Sequence, residues 1–185
     1  LVAFFAGYQA YSGQRINRDK SSFILSNRAP EDCVALVQGK LWFQQQSLPF
    51  VYLGAPISRG RVASTLFNPI MAKMQGHLSH WSSRLLSTGG KLVLLQHVLS
   101  FIPMYLLQVL QPPKAVFQRL GRICNAFLWG KVDGSRGIHW TPWDRVCLPT
   151  TEGGLGVRLF WDMSAAFACK LWWHLRQNRS CWAKF

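Results

Sequence analysis

Between Cys33 and Val132 the chain carries ten basic side chains and not one carboxylate. A hundred residues of unopposed positive charge must either repel themselves or meet a polyanion. Phosphate backbones are the usual partner, because each neutralised phosphate releases counterions. The whole chain repeats the imbalance, with 21 Lys and Arg against 7 Asp and Glu and a net charge of +14. Nucleic acid is therefore favoured over a merely soluble basic surface. With 185 residues, 49% of them hydrophobic, there is material for one sizeable core or two small ones rather than a disordered polyelectrolyte.

Five cysteines, Cys33, Cys124, Cys147, Cys169 and Cys181, are odd in number and scattered, without a C-x-x-C pair or a histidine at zinc-finger distance. They read as reduced, mostly core residues, which places the chain in a reducing compartment, cytoplasm or nucleus, without structural zinc. Leu1 to Tyr8 is apolar but lacks a basic leader and a small-residue cleavage site, so it is not expected to act as a signal peptide. The run Leu92 to Leu110 is interrupted by Gln96, His97, Ser100, Pro103 and Gln108, and reads as two buried helices meeting at the proline rather than a membrane span. Starting at Leu1 and ending at Phe185 in an aromatic-rich run, the chain is expected to be cut at both ends.

Punctuation and periodicity predict an α+β, mostly helical fold. A first helix covers residues 1–11 and stops at Ser12-Gly13, Phe23 to Leu25 form a short strand, and Pro30-Glu31-Asp32 opens a short helix towards Gly39. Leu41 to Phe43 and Phe50 to Leu53 fit a small antiparallel pair. Asn68-Pro69 caps a helix whose apolar stripe is Ile70, Met74, Leu78 and Trp81, with Lys73 and His77 off that stripe. Gly89-Gly90 separates it from a helix over 91–99, Pro103 begins another, and Pro112-Pro113 precedes a fourth striped by Val116, Leu120, Ile123 and Phe127. Residues 131–137 read as a polar turn or linker. Beyond them the chain is Trp-rich, with a last helix over 162–175.

Metal-dependent phosphoryl chemistry needs closely grouped carboxylates. Asp19, Glu31, Asp32, Asp133, Asp144, Glu152 and Asp162 do not supply such a group, and the adjacent pair Glu31-Asp32 is explained by a helix N-terminus. Gly153-Gly154-Leu155-Gly156 reads as a tight turn leading to a β-prone Leu155-Gly156-Val157, since no phosphate-loop or dinucleotide fingerprint accompanies it. His77 and His80 read as surface histidines on a basic helix. Trp81, Trp129, Trp140 and Trp143 could stack bases, but packing is the favoured role.

Local features in order along the chain resemble one known family. Ser12-Gly13-Gln14-Arg15-Ile16-Asn17 with Lys20-Ser21-Ser22, then Leu48-Pro49-Phe50-Val51-Tyr52-Leu53-Gly54-Ala55-Pro56-Ile57, are followed by Trp81-Ser82-Ser83-Arg84-Leu85-Leu86-Ser87 and Gly89-Gly90-Lys91. Ile102-Pro103-Met104-Tyr105, Phe127-Leu128-Trp129-Gly130, Ile138-His139-Trp140, Trp143-Asp144 with Val146-Cys147, and Glu152 to Gly156 complete the set. Together they resemble plant LINE-type, non-LTR retrotransposon reverse transcriptases just beyond the catalytic Asp-Asp hairpin.

That resemblance implies an RNA-directed DNA polymerase fragment. Residues 1–58 would be the end of the palm, with short antiparallel strands and a primer-grip hairpin; 59–130 a helical thumb; 131–185 a truncated Trp-rich connecting region. Lys20 would be a proton donor to the leaving pyrophosphate, and Tyr52, Leu53 and Gly54 would form the grip. Arg59, Arg61, Lys73, Arg84 and Lys91 are the basic candidates for backbone contacts. The implied partners are an RNA-DNA or DNA primer-template duplex and the missing upstream palm and fingers. The family's catalytic aspartates are not in this sequence, so the chain is expected to be catalytically incomplete and to hold no cofactor, with Mg²⁺ implied for the intact parent. The rival readings are a non-catalytic basic nucleic-acid-binding protein and a non-functional relic of a retroelement.

Overall fold

The computed structural model describes residues 1–26, 28–82, 86–130, 138–178 and 184. The chain divides into two compact units, Leu1–Gly60 and Arg61–Phe185. Both contain helices, and the four short strands lie in the first, so the fold is α+β and mostly helical as expected. The expected linker 131–137, with Arg84, Cys181 and Trp182, lies outside the described residues.

In Leu1–Gly60, helix α1 (Val2–Ser12) ends where Gly13 turns left-handed, φ 68°, and its N–H bonds the Gln9 carbonyl at 3.1 Å. The helix is apolar on all sides, which leaves Phe4, Tyr8 and Tyr11 exposed. Strand β1 (Ser22–Phe23) and strand β2 (Gln44–Gln45) run parallel, Ser22 opposite Gln44 and Phe23 opposite Gln45. A parallel pair needs a crossover, and α2 (Glu31–Leu41) supplies it, with Glu31 and Asp32 in its first turn and Lys40 in its last, both favourable to the helix dipole.

Strands β3 (Phe50–Tyr52) and β4 (Ala55–Ile57) form an antiparallel hairpin with Phe50 opposite Ile57. Leu53 and Gly54 make its two-residue turn with φ 49° and 82°, the positive values that match strand twist and that glycine meets without strain. The expected pairing of 41–43 with 50–53 does not form. Leu41 belongs to α2, Trp42 is left-handed with φ 57°, and the 50–52 strand pairs with its own hairpin mate.

In Arg61–Phe185, α3 (Asn68–Ser82) follows a 3₁₀ turn at Ser64–Phe67. Its core stripe consists of Met71, Met74 and Leu78, with Ile70 and Trp81 half-buried at the margins. Helix α4 (Thr88–Leu94) runs into a π turn at Leu95–Leu99. Gly89 and Gly90 do not break the chain here: they lie in the first turn of α4, where the Ser87 hydroxyl accepts the Gly90 N–H at 3.2 Å and so caps the helix. After Pro103 comes α5 (Met104–Val109), and after Pro112-Pro113 comes α6 (Lys114–Trp129). The run 92–110 is thus divided at the proline as expected, and among the described residues no helix is long and apolar enough to cross a membrane.

Helix α7 (Trp143–Val146), a 3₁₀ turn at Thr150–Glu152 and α8 (Phe160–Arg176) complete the unit. Gly153 takes φ 82°, and Gly154 passes so near the Leu148 carbonyl that a Cβ would sit 2.0 Å from it. This is the tight turn expected, but Leu155 to Val157 is irregular rather than a strand. It is held by Leu155 N–H to the Val146 carbonyl at 2.9 Å and by the Gln96 amide to the Leu155 carbonyl at 2.7 Å.

The core is centred on α6, whose Val116, Leu120 and Cys124 are almost solvent-free and which packs on α3, α4, α7 and α8. The aliphatic pair, Val116 and Leu120, contributes about 1.5–3 kcal/mol per side chain on burial. Trp129 and Trp143 are half-buried, but Trp140 is 74% exposed, contrary to the packing expected of it. The cysteines are not mostly core either: Cys124 is buried and Cys147 half-buried, while Cys33 and Cys169 are exposed.

Candidate nucleic-acid interface

The helical period places Lys73, His77 and His80 on one exposed face of α3, beside the buried stripe. His77 stacks on Trp81, ring centroids 5.6 Å apart and planes 29° off parallel, and Trp81 lies 6.3 Å from the Phe127 ring of α6. A histidine of the outer face is thereby seated on an aromatic that reaches the core. Arg119 of α6 donates to the Asn68 side-chain oxygen at 3.2 Å, which brings its guanidinium to the first turn of α3. Lys114 and Arg122 are also exposed on α6. Cations on rigid helices suit backbone phosphates, whose contacts position a duplex without reading its sequence.

The sequence candidates fall on separate elements. Tyr52, Leu53 and Gly54 are brought together at the β3–β4 tip, where Leu53 is 77% exposed. Lys20 is exposed in the turn at 18–20, its backbone N–H bonded to Asn17 Oδ1 at 3.1 Å. Arg59 lines a cavity of about 450 Å³ with Leu48, Pro49 and Gln45. Arg61 is exposed ahead of the 3₁₀ turn, Lys73 stands on the outer face of α3, and Arg84 lies outside the described residues.

Lys91 has a different duty. Its ammonium donates to the Gly130 carbonyl at 2.5 Å and lies 5.9 Å from the Phe127 ring, so it neutralises the carbonyl end of α6. Arg119 and the α6 cations were missed from sequence, although Lys114 and Arg122 recur at helical spacing. Attention to the apolar stripe hid the polar one beside it.

Two thiols are chemically quiet. Burial, then the neighbouring Cys147, pushes Cys124 up to about 12; burial, then Asp144 and Asp162, does the same for Cys147. Both remain protonated at neutral pH, and it is the thiolate that attacks or ligates. Among the described residues there is no group of three or more His, Cys, Asp or Glu able to hold a metal ion.

No family model matches the chain. It is similar to a protein of Arabidopsis thaliana named "Putative ribonuclease H protein At1g65750", with 33% identity over 125 residues, 68% of this chain and 20% of that protein. That protein is named as a putative ribonuclease H protein, and its name mentions no polymerase. This overturns the resemblance to LINE-type reverse transcriptases. Its motifs were short strings, each weak alone, and none held the carboxylates that polymerisation needs. The palm, thumb and connecting-region names, the pyrophosphate role of Lys20 and the primer-grip role of Tyr52, Leu53 and Gly54 lose the support that the resemblance lent them. The chain spans about a fifth of the length of the curated relative it matches.

Proposed function

We propose that this chain is a nucleic-acid-gripping segment that holds the sugar-phosphate backbone of an RNA-DNA hybrid or DNA duplex without reading its sequence. One observation carries the reading: from Cys33 to Val132 there are ten cations and no carboxylate. Lys73, Arg119 and Arg122 of that set stand exposed on packed helices. The Arabidopsis relative carries the name of a putative ribonuclease H protein, and that name supports a nucleic-acid partner.

The test is fluorescence anisotropy with a labelled RNA-DNA hybrid over a salt series. Binding in the range of about 10⁻⁴–10⁻⁶ M is expected, with log affinity falling linearly against log salt at roughly 0.9 per phosphate contacted. Lys73→Glu should weaken binding to any sequence alike and reduce the slope. A folded sample that fails to bind, or binds independently of salt, would overturn the reading.

A further inference from the structure

Along α6, Lys114, Gln118 and Arg122 recur every fourth residue and Asn125 follows, so a polar stripe runs beside the buried one. That stripe walls a cavity of about 650 Å³, closed on the other side by Trp143 and Asp144 of α7 and by Trp161 in the first turn of α8. The size lies within the range of roughly 300–1,000 Å³ typical of small-molecule sites.

Both indoles are held in place. Trp143 lies against the α6 backbone at Gly121, where an added Cβ would come within 3.0 Å of its Cδ1 and 3.2 Å of its Nε1. Glycine is unfavourable in a helix interior, and here it lets the indole lie on the helix. Trp161 is braced edge-on by Phe117, centroids 5.3 Å apart and planes at 81°, while remaining 57% exposed. Asn125, on the same wall, has a buried side-chain oxygen without a hydrogen-bond partner. Lys114 and Arg122 are exposed on that wall, and Asp144 is the acid of the lining.

We propose that this cavity takes one unstacked nucleotide of a single strand, its base against Trp143 and Trp161 and its phosphate against Lys114 and Arg122. The proposal rests on the nucleic-acid reading above and names a second, base-contacting site within it. A purely apolar ligand would leave the cations unused and the Asn125 oxygen unpartnered, and a bare phosphate would leave both indoles uncovered and meet the Asp144 carboxylate. A nucleotide answers each feature. Its base has a face for the indoles, its amino or ring N–H supplies donors for Asn125 and Asp144, and its phosphate is an anion for two cations.

The full chain is titrated with a 12-nucleotide oligoadenylate and with a fully abasic ribose-phosphate strand of the same length and charge, at one salt concentration. The abasic strand should bind about tenfold more weakly, the scale of one stacked base. Trp161→Ala should remove that difference, and Arg122→Gln should weaken oligoadenylate binding should the tryptophan variant fail to fold by circular dichroism. Lys73→Glu should weaken both strands by the same factor. Adenosine monophosphate should quench tryptophan fluorescence saturably in the wild type and not in Trp161→Ala. Equal binding of the two strands, with no response to the mononucleotide, overturns the cavity site and leaves backbone gripping standing. Failure of both strands to bind also overturns the cavity as a single-strand site, whatever the mononucleotide does, whereas backbone gripping is decided separately by the salt series on the RNA-DNA hybrid.

Discussion

Among the described residues Leu1–Gly60 buries one hydrophobic side chain, Ala55, whereas Arg61–Phe185 buries Phe67, Met74, Leu95, Leu99, Val116 and Leu120 and more besides. The first unit leaves Phe4, Tyr11, Trp42, Val51 and Leu53 open to solvent. Size explains part of the contrast, since a domain of about 60 residues buries only about 60% of the surface its unfolded chain exposes. Patterning explains the rest: α1 is apolar all round, while α6 segregates its stripes. Charge follows the same division. Six Lys and Arg meet three Asp and Glu in the first unit, and fifteen meet four in the second. The region with the better-packed scaffold is also the one with the larger excess of cations, which is what a backbone-gripping surface requires.

The contrast can be broken outright by cutting at Gly60. A fragment of residues 61–185 should unfold in one cooperative thermal transition by circular dichroism, and a fragment of 1–60 should show none; a cooperative 1–60 fragment would refute the account of its thin core. Within the full chain, Leu120→Ala should cost about 2–5 kcal/mol in urea unfolding, as large-to-small core changes do. Val51→Ala, at a 70% exposed site, should stay within about 0.5 kcal/mol.

A smaller effect is expected at the hairpin tip. Gly54→Ala places a side chain at φ 82° and should cost on the order of 1–2 kcal/mol; its cost should be read as loss of β3–β4 amide protection, with the melting of the second unit unmoved. Smallest at neutral pH are the thiols. Iodoacetamide should label exposed Cys33 and Cys169 well before Cys124 and Cys147. Because the folded state holds both latter thiols protonated up to about 12, the unfolded chain releases those protons first as pH climbs past about 9. Stability should be unaffected by them below that point and fall between there and 12. Cys124→Ala should flatten this alkaline fall, and an unchanged profile would show that the thiol does not cause it.

Much of the second unit could be read from the residues. Asn68-Pro69 and Pro112-Pro113 mark helix starts, and the stripe of α6 appears as Val116, Leu120 and Phe127, because caps and periodicity are local. What could not be read is non-local. Lys91 reaches Gly130 across 39 residues, the β1–β2 pair is only two residues long and joined through α2, and Trp42 ends its helix in a conformation rarely taken by a large side chain. Gly89-Gly90 misled because glycine usually ends helices, whereas Ser87 caps one here. The cavity was half legible, since Lys114 and Arg122 share a helical face, but Trp143 and Trp161 arrive there only through the packing of α7 and α8 on α6.

The central claim is that the second unit grips nucleic acid through helix-mounted cations. It is tested most directly by comparing the fragment of residues 61–185 with the full chain for binding to one labelled RNA-DNA hybrid across a salt series. The account predicts affinities within about threefold and salt slopes that agree to within one phosphate contact, roughly 0.9 in the log-log plot. A folded fragment that no longer binds, while the full chain does, would place the grip in Leu1–Gly60 and contradict it.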